Sequence, residues 1–346
     1  MKTKDSEKPL VAIIIPVYNG EKLLENLLLS IQSQAYKNYE VIAVDNKSSD
    51  NSLNILNSFK EIIPMKIIFN EKNEGYCGGC NKGIENAKGD LFLFLSQDRI
   101  ISSNWLDKSV TKILTEQNVG CVFGKVIAKG TSYYEYGAAY DIYGSPCMKG
   151  TPETINLFYA GGAILVRSNI IEKIGAFDPK FFMYQEDIDL CWRIRLAGYR
   201  IEMVEDIECK NIGGGVSNTF YVDGKLVVNF DPELVQMPVY RFYHSIAKNR
   251  MRVLLKNYSL KNIIRRLPIV LGLIILRGTL MSIKTRNPFY FTSAFKGIFW
   301  NALYLRDTLN HRKKIQKYRK VDDQDIEKHM INRSIELESI GKFVNG

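Results

Sequence analysis

The sequence shows little apolar character in its first eight residues, no glycine-rich nucleotide fingerprint and no paired set of metal-binding cysteines. Met1-Lys2-Thr3-Lys4-Asp5-Ser6-Glu7-Lys8 is polar and runs directly into an apolar stretch, so a signal peptide is not expected. The six cysteines are scattered. Cys77-Gly78-Gly79-Cys80 has CxxC spacing, but no second CxxC completes a zinc site. Reduced thiols in a cytosolic protein are the better reading. The first apolar run is followed by Pro16-Val17-Tyr18-Asn19-Gly20 rather than GxGxxG, and the P-loop pattern is absent. A dinucleotide site is thereby disfavoured. Acidic residues almost vanish from residues 241–320, which hold 19 Lys+Arg against one Asp.

With 346 residues, 46% of them apolar and 24% charged, the chain can build a substantial core. Wholesale disorder and fibrous repeats are excluded. The formal charge of +10 conceals a split. Residues 1–240 carry 25 Lys+Arg against 30 Asp+Glu, and residues 321–346 carry 3 against 6. An acidic-leaning body with one basic segment argues for a local docking surface and against a general nucleic-acid binder. His311-Arg312-Lys313-Lys314 reads as a solvated charged face.

The first half alternates strands with helices. Leu10–Ile15, Val41–Val44, Lys66–Phe69 and Leu91–Leu95 are short β-branched or apolar runs. Leu23, Leu24, Leu27, Leu28 and Ile31 recur at helical spacing after Asn19-Gly20-Glu21. Ser48-Ser49-Asp50-Asn51 offers a second helix start, and glycine-rich Asn73–Gly83 leads into a third helix. This order predicts a parallel α/β sheet. Ligands of such sheets lie beyond the carboxyl ends of the strands. Asn19, Asp45, Asn73 and Asp98 fall at those four ends, each also readable as a turn residue.

A carboxylate at Asp45 can accept from a nucleobase or ribose. Asp98, in Ser96-Gln97-Asp98, suits Mg²⁺ or Mn²⁺ bridging a diphosphate. Gly75, Gly78, Gly79 and Gly83 allow either close approach to a ligand or helix–sheet packing. Gly161-Gly162 invites the same two readings. The densest constellation is Phe181–Arg193, where Glu186, Asp187 and Asp189 stand within four positions among aromatics. Such acids must be solvated, paired or metal-bound. An acidic first helical turn, with Asp189 paired to Arg193, is the structural alternative.

These segments together resemble a family 2 glycosyltransferase of GT-A fold, near its rhamnosyltransferase-like branch. The resemblance rests on VAIIIPVYNG (Val11–Gly20), EVIAVDNKSSDNS (Glu40–Ser52), NEGYCGGCNKG (Asn73–Gly83), LFLSQD ending at Asp98, YAGGAILVR (Tyr159–Arg167) and Phe177–Tyr199, covering about residues 9–220. It implies an α/β fold, Rossmann-like, with a mostly parallel central sheet flanked by helices. The donor-side candidates are Pro16, Tyr18, Asn19, Asp45, Asn73, Gly75, Gly79, Asn81 and Gln97. The metal candidate is Asp98, with Ser96 where the family has its first acidic position. Asp187, with Glu186, matches the catalytic base. Gly161, Gly162, Asp189, Trp192 and Arg193 are the acceptor-side candidates. A histidine that the family often places before a glycine-rich stretch is missing. That region reads Cys209-Lys210-Asn211 followed by Ile212 and three glycines, and Lys210 or Asn211 could reach the diphosphate instead.

The basic segment mixes aromatics, Arg/Lys and Leu at helical spacing over Tyr240–Tyr258. The apolar stretch Leu267–Leu276 follows, closed by Arg277. Ten residues are too few to span a bilayer, which takes about 20 in a helix. Pro268 and Gly272 further weaken a simple spanning helix. Interfacial helices on an anionic leaflet fit better, with a helical domain packed on the enzyme as the alternative. The expected organisation is therefore a transferase domain at 1–240, a basic, aromatic, amphipathic helical membrane-associating region at 241–320 and a helical tail at 321–346.

The expected activity is inverting, metal-dependent transfer from a nucleotide sugar, with dTDP-rhamnose or a UDP-sugar favoured. The acceptor is expected to be a polyisoprenyl-linked glycan, met peripherally or monotopically at the cytosolic membrane face. The cofactor is Mg²⁺ or Mn²⁺, and no nucleic-acid partner is expected. Two other classes compete. A sugar-nucleotide nucleotidyltransferase would want a phosphate-gripping loop that Pro16–Gly20 does not supply. A non-catalytic membrane scaffold is favoured by Ser96 and the missing histidine, and disfavoured by the intact run Glu186–Asp189.

Overall fold

A computed structural model describes residues 8–127, 134–135, 138–148, 162–212, 218–222, 225–229 and 239–344. Its strands are β1 Val11–Val17, β2 Tyr39–Asp45, β3 Met65–Phe69, β4 Leu91–Leu95, β5 Arg99–Ile101, β6 Val119–Ile127, β7 Tyr134–Glu135, β8 Ala138–Tyr140, β9 Pro146–Met148, β10 Ala163–Arg167, β11 Arg200–Asn211, β12 Asn218–Val222 and β13 Lys225–Asn229. Its helices are α1 Leu24–Gln32, α2 Ser52–Lys60, α3 Gly75–Asn86, α4 Trp105–Thr115, α5 Ser168–Ile174, α6 Glu186–Leu196, α7 Val239–Asn257, α8 Leu260–Thr285, α9 Phe289–Leu303, α10 Leu305–Tyr318, α11 Asp323–Glu327 and α12 Ile335–Val344.

Two units divide the chain. The first holds the described residues within Met1–Lys125, Gly162–Phe182 and Glu202–Ile212. It carries most of a sheet ordered β3-β2-β1-β4-β10-β6-β11-β5. The four strands expected from sequence pair in parallel, β3 to β2 to β1 to β4. Beyond β4 the chain returns antiparallel through β10, so the sheet is mixed. All seven residues of β1 are buried, because helices cover both faces of a central parallel strand. Leu24, Leu27, Leu28 and Ile31 of α1 line one buried face, as their spacing predicts.

The glycines of α3 have a packing cause. A Cβ on Gly83 would lie 2.3 Å from Ile14 Cγ2, and one on Gly79 would lie 2.7 Å from Pro16 Cβ. The helix therefore rests on β1 more closely than any side chain at those positions allows.

The second unit holds the described residues within Val126–Gly161, Met183–Ile201 and Gly213–Gly346. Helix α7 packs against α6, α8, α9 and α10. Its buried face is unusually polar: Asn249, Arg252, Lys256 and Asn257 are all nearly inaccessible. Helix α8 departs from the sequence expectation. It is one continuous 26-residue helix with Pro268 inside it. Pro268 and Gly272 lie on the exposed side, where the lost backbone bond and the missing side chain disturb no packing. By length and composition alone α8 could cross a bilayer, and 22% of its most apolar window is buried.

Candidate functional site

In the first unit the donor-side candidates gather at the carboxyl ends of β1, β2 and β4. The Tyr18 N–H donates to Gln97 Oε1 at 2.9 Å, and Gln97 Nε2 donates back to the Tyr18 carbonyl at 3.0 Å. Gln97 thus pins the turn after β1 to the end of β4. Asn19 takes a left-handed conformation, φ 47°. Its N–H donates to Ser48 Oγ, and its Oδ1 accepts from the Ser49 N–H. Asp45, buried at the end of β2, accepts from the Ser48 N–H at 3.2 Å. The loops after β1 and β2 are therefore laced to each other around Asp45.

Asn73 Oδ1 accepts from the Gly75 N–H at 2.8 Å, and the Gly75 carbonyl accepts from Asn46 Nδ2. Gly75 has φ +72°. A Cβ there would meet the Phe182 carbonyl oxygen at 2.4 Å, so only glycine fits. Asn81 exchanges both ends of its amide with the backbone of Phe177, at 2.8 and 2.9 Å. That exchange makes it a tie for the chain before the Pro179–Phe181 turn. Gly162 has φ +83° and precedes β10, while Gly161 lies outside the described residues.

Asp98 Oδ1 accepts from Ser96 Oγ at 2.6 Å and lies 3.4 Å from Arg99 Nε. The backbone of Arg99 pairs with Asn211 and that of Ile100 with Lys210, so β11 brings both candidates alongside. Lys210 is exposed and Asn211 buried. Arg99 was not singled out from sequence. Its signal was its place directly after Asp98 at a strand end.

These donors bear on the implied Mg²⁺ or Mn²⁺. No group of three His, Cys, Asp or Glu among the described residues could hold a metal. One carboxylate and one hydroxyl, with an arginine beside them, do not make a resident cage. They do fit a cation that arrives on a diphosphate and takes most of its ligands from phosphate and water.

In the second unit α6 presents the acids. Its N-cap, Gln185, is left-handed, φ 65°, and offers no side-chain cap. Glu186, Asp187 and Asp189 occupy the first turn, where the helix dipole favours anions. Asp187 Oδ1 accepts from the Ile188 N–H at 2.8 Å. Burial, and then the charge of Asp187, push the Glu186 carboxyl up to about 8. Its Oε2 is buried with no hydrogen-bond partner.

Asp189 is fully buried. It accepts from Arg193 Nε at 2.8 Å, from Lys256 Nζ at 3.1 Å and from Asn257 Nδ2 at 2.9 Å. Trp192 is equally buried, edge-on to Tyr258 with centroids 4.7 Å apart and near Tyr140 at 6.0 Å. Asp189, Trp192 and Arg193 hence brace α6 from inside the unit, as the pairing alternative anticipated. Lys256, Asn257 and Asn249 were invisible from sequence, because only folding brings α7 to residues some sixty positions earlier.

The glycosyl transferase family 2 description matches residues 12–175. This stretch is similar to a family 2 glycosyltransferase domain. Glycosyltransferase AglE of Haloferax volcanii is 30% identical over 214 residues, which is 58% of this chain and 66% of that protein. The chain thus spans just under two thirds of that relative's length. Among solved structures, GalNAc-T7 with UDP, GalNAc and Mn²⁺ superposes with a TM-score of 0.56 at 18% identity, covering 75% of this chain and 49% of that one. The mannosyltransferase PcManGT of Pyrobaculum calidifontis, in complex with GDP-Man and Mn²⁺, gives 0.51 at 15% identity, covering 90% and 86%. At such identities the glycosyltransferase domain shares the fold with both.

Proposed function

We propose that the chain is an inverting glycosyltransferase that moves a sugar from a nucleoside-diphosphate donor to a hydroxyl of a lipid-linked glycan. The favoured donor is dTDP-rhamnose, from the likeness to the rhamnosyltransferase-like branch, with UDP-sugars next. Residues 1–240 are the transferase domain, 241–320 the membrane-associating region at the cytosolic face and 321–346 the tail.

The observation that carries the reading is the Glu186–Asp187 pair at the start of α6. One carboxyl is buried and raised to about 8, and the other is held by the Ile188 N–H. Two adjacent acids with environments pushed apart suit a division of roles. Asp187 takes the proton of the acceptor hydroxyl as its oxygen attacks the anomeric carbon. Burial raises the Glu186 carboxyl, which disfavours a second negative charge beside Asp187. Asp45 accepts from the nucleobase, and Asn19 and Tyr18 shape the pocket around it.

Asp98, with Ser96, would hold the Mg²⁺ or Mn²⁺ carried by the diphosphate. Such a cation offsets charge on the departing nucleoside diphosphate. Arg99 stands beside the same carboxylate and supplies a permanent positive charge there.

The test is Asp187→Asn, assayed by turnover beside calorimetry of donor binding. Transfer should be lost while donor affinity stays close to wild type. Wild-type turnover in this variant would remove Asp187 as the base. A wild-type chain that neither transfers nor hydrolyses any nucleotide sugar with Mn²⁺ would favour the scaffold reading, which the lone carboxylate at Asp98 keeps open.

A further inference from the structure

A groove opens in the second unit among α7, α8, α9 and α12, with an empty volume of about 470 Å³ including its mouth. Its walls are mostly apolar, with Ala247, Ile274, Met281 and Ala294 among them, yet two arginines and one carboxylate line it as well. Arg250 is 4% exposed. Its Nε donates to the Tyr143 carbonyl at 2.9 Å and its Nη1 to Glu336 Oε2 at 2.6 Å. Its Nη2 is buried with no hydrogen-bond partner. Buried donors are rarely left in this state, and guanidinium donors suit phosphate oxygens in pairs. Arg277, half exposed at the rim, reaches Glu336 Oε1 only at 3.7 Å. That oxygen also lacks a hydrogen bond. Two cations thus share Glu336, with buried Asp141 the other carboxylate whose charge reaches Arg250.

The surroundings select the anion's companion. No Asp or Glu occurs from Leu260 to Arg306. Between Pro268 and Leu276 the exposed side of α8 carries no charge, and Phe291, Phe295, Phe299 and Leu303 form an exposed ridge on α9 at i, i+4 spacing. A free phosphate would leave the apolar walls wet, and an uncharged chain would leave Arg250 Nη2 without an acceptor.

We propose that this groove binds the phosphate head of a long-chain amphiphile. The phosphate lies between Arg250 and Arg277 in place of part of their hold on Glu336, and the hydrocarbon runs along Ile274, Met281 and Ala294. The occupant is a phosphate-headed lipid rather than inorganic phosphate or a neutral detergent.

The proposal is independent of the transferase reading, because calorimetry on the full chain reads it without turnover. Dodecyl phosphate below its micellar concentration should bind at least tenfold more tightly than either inorganic phosphate or dodecyl maltoside. Arg277→Gln should weaken dodecyl phosphate about tenfold, the loss of one charge-assisted contact. Met281→Trp, which fills the apolar wall, should weaken dodecyl phosphate and leave inorganic phosphate unchanged. Both positions are at least partly exposed, so both variants should fold. Inorganic phosphate binding as tightly as dodecyl phosphate would reassign the site to free anions. Equal uptake of dodecyl maltoside, unaltered binding by Arg277→Gln, or no binding to the wild-type chain would each overturn the proposal.

Discussion

The side-chain amide of Asn249 donates to the backbone carbonyl of Tyr184 at 2.8 Å, and to that of Met183 at 2.9 Å. Tyr184 and Gln185 are consecutive left-handed residues, φ 73° and 65°, directly before Glu186. Such conformations cost about 1–3 kcal/mol each in non-glycine residues and persist only when their surroundings hold them. Asn249 supplies that hold from α7, beyond the stretch matched by the family. Asn249→Ala should lower kcat by roughly tenfold or more, because small misplacements of a reacting group are costly. The donor KM should change little, since donor binding rests on other residues. Steady-state kinetics with a saturating donor checks this, and an unchanged kcat would count against it.

Asp189 lies at the meeting point of Arg193, Lys256 and Asn257, and all four are nearly inaccessible. A buried ion network is weak evidence of net stabilisation, but removing one partner leaves buried charge uncompensated. Asp189→Ala removes the carboxylate that Arg193 and Lys256 both hold and should destabilise the fold by about 3–5 kcal/mol. Lys256→Met should cost less, because Arg193 and Asn257 still satisfy the carboxylate. Chemical denaturation of the two variants orders them, and a smaller loss in Asp189→Ala than in Lys256→Met would refute this account.

The raised Glu186 carboxyl makes a pH prediction of definite sign. Its folded value of about 8 lies above the usual 4.5, so the folded chain retains a proton that the unfolded chain releases. The associated stability is fully present below pH 4.5 and is lost as pH rises through about 8. The melting temperature of the wild type should therefore fall over this window more than that of Glu186→Gln, which cannot ionise. The same ionisation brings a second negative charge beside Asp187, so kcat/KM should decline above about pH 8 in the wild type. Glu186→Gln should lack that alkaline limb. Parallel profiles in the two proteins would show that another group titrates there.

Where one residue's neighbours in sequence decide its structure, the sequence was readable. The runs at Val11–Val17 and Leu91–Leu95 are apolar throughout because both sheet faces are covered, and their ends locate Asn19 and Asp98, as the end of Tyr39–Asp45 locates Asp45. The Asp189–Arg193 pair follows from helical spacing alone. The glycines of α3 left two readings open, and packing against Ile14 and Pro16 accounts for Gly83 and Gly79. Lys256 and Asn249 could not be read, because a polar residue in a basic helix looks solvated until tertiary structure buries it. Pro268 misled for the converse reason: a proline on an exposed helix face loses one bond and breaks nothing else.

Ser96 and Asp98 give the sharpest test of how the cation is held. The Ser96 hydroxyl donates to Asp98 Oδ1 at 2.6 Å, so a carboxylate at position 96 would stand close to the same point. Oxygen-ligated cations gain affinity with the number of charged ligands. Ser96→Asp should therefore lower the Mn²⁺ concentration needed for half-maximal turnover by about tenfold, as a second carboxylate joins the set. Asp98→Asn should raise that concentration and weaken donor binding only when Mn²⁺ is present. With the cation chelated, donor affinity should be the same in Asp98→Asn and wild type. A Mn²⁺ response unaltered by either substitution would move the role at the diphosphate from Asp98 to Arg99. Arg99→Gln would then be expected to abolish turnover whether or not the cation is supplied.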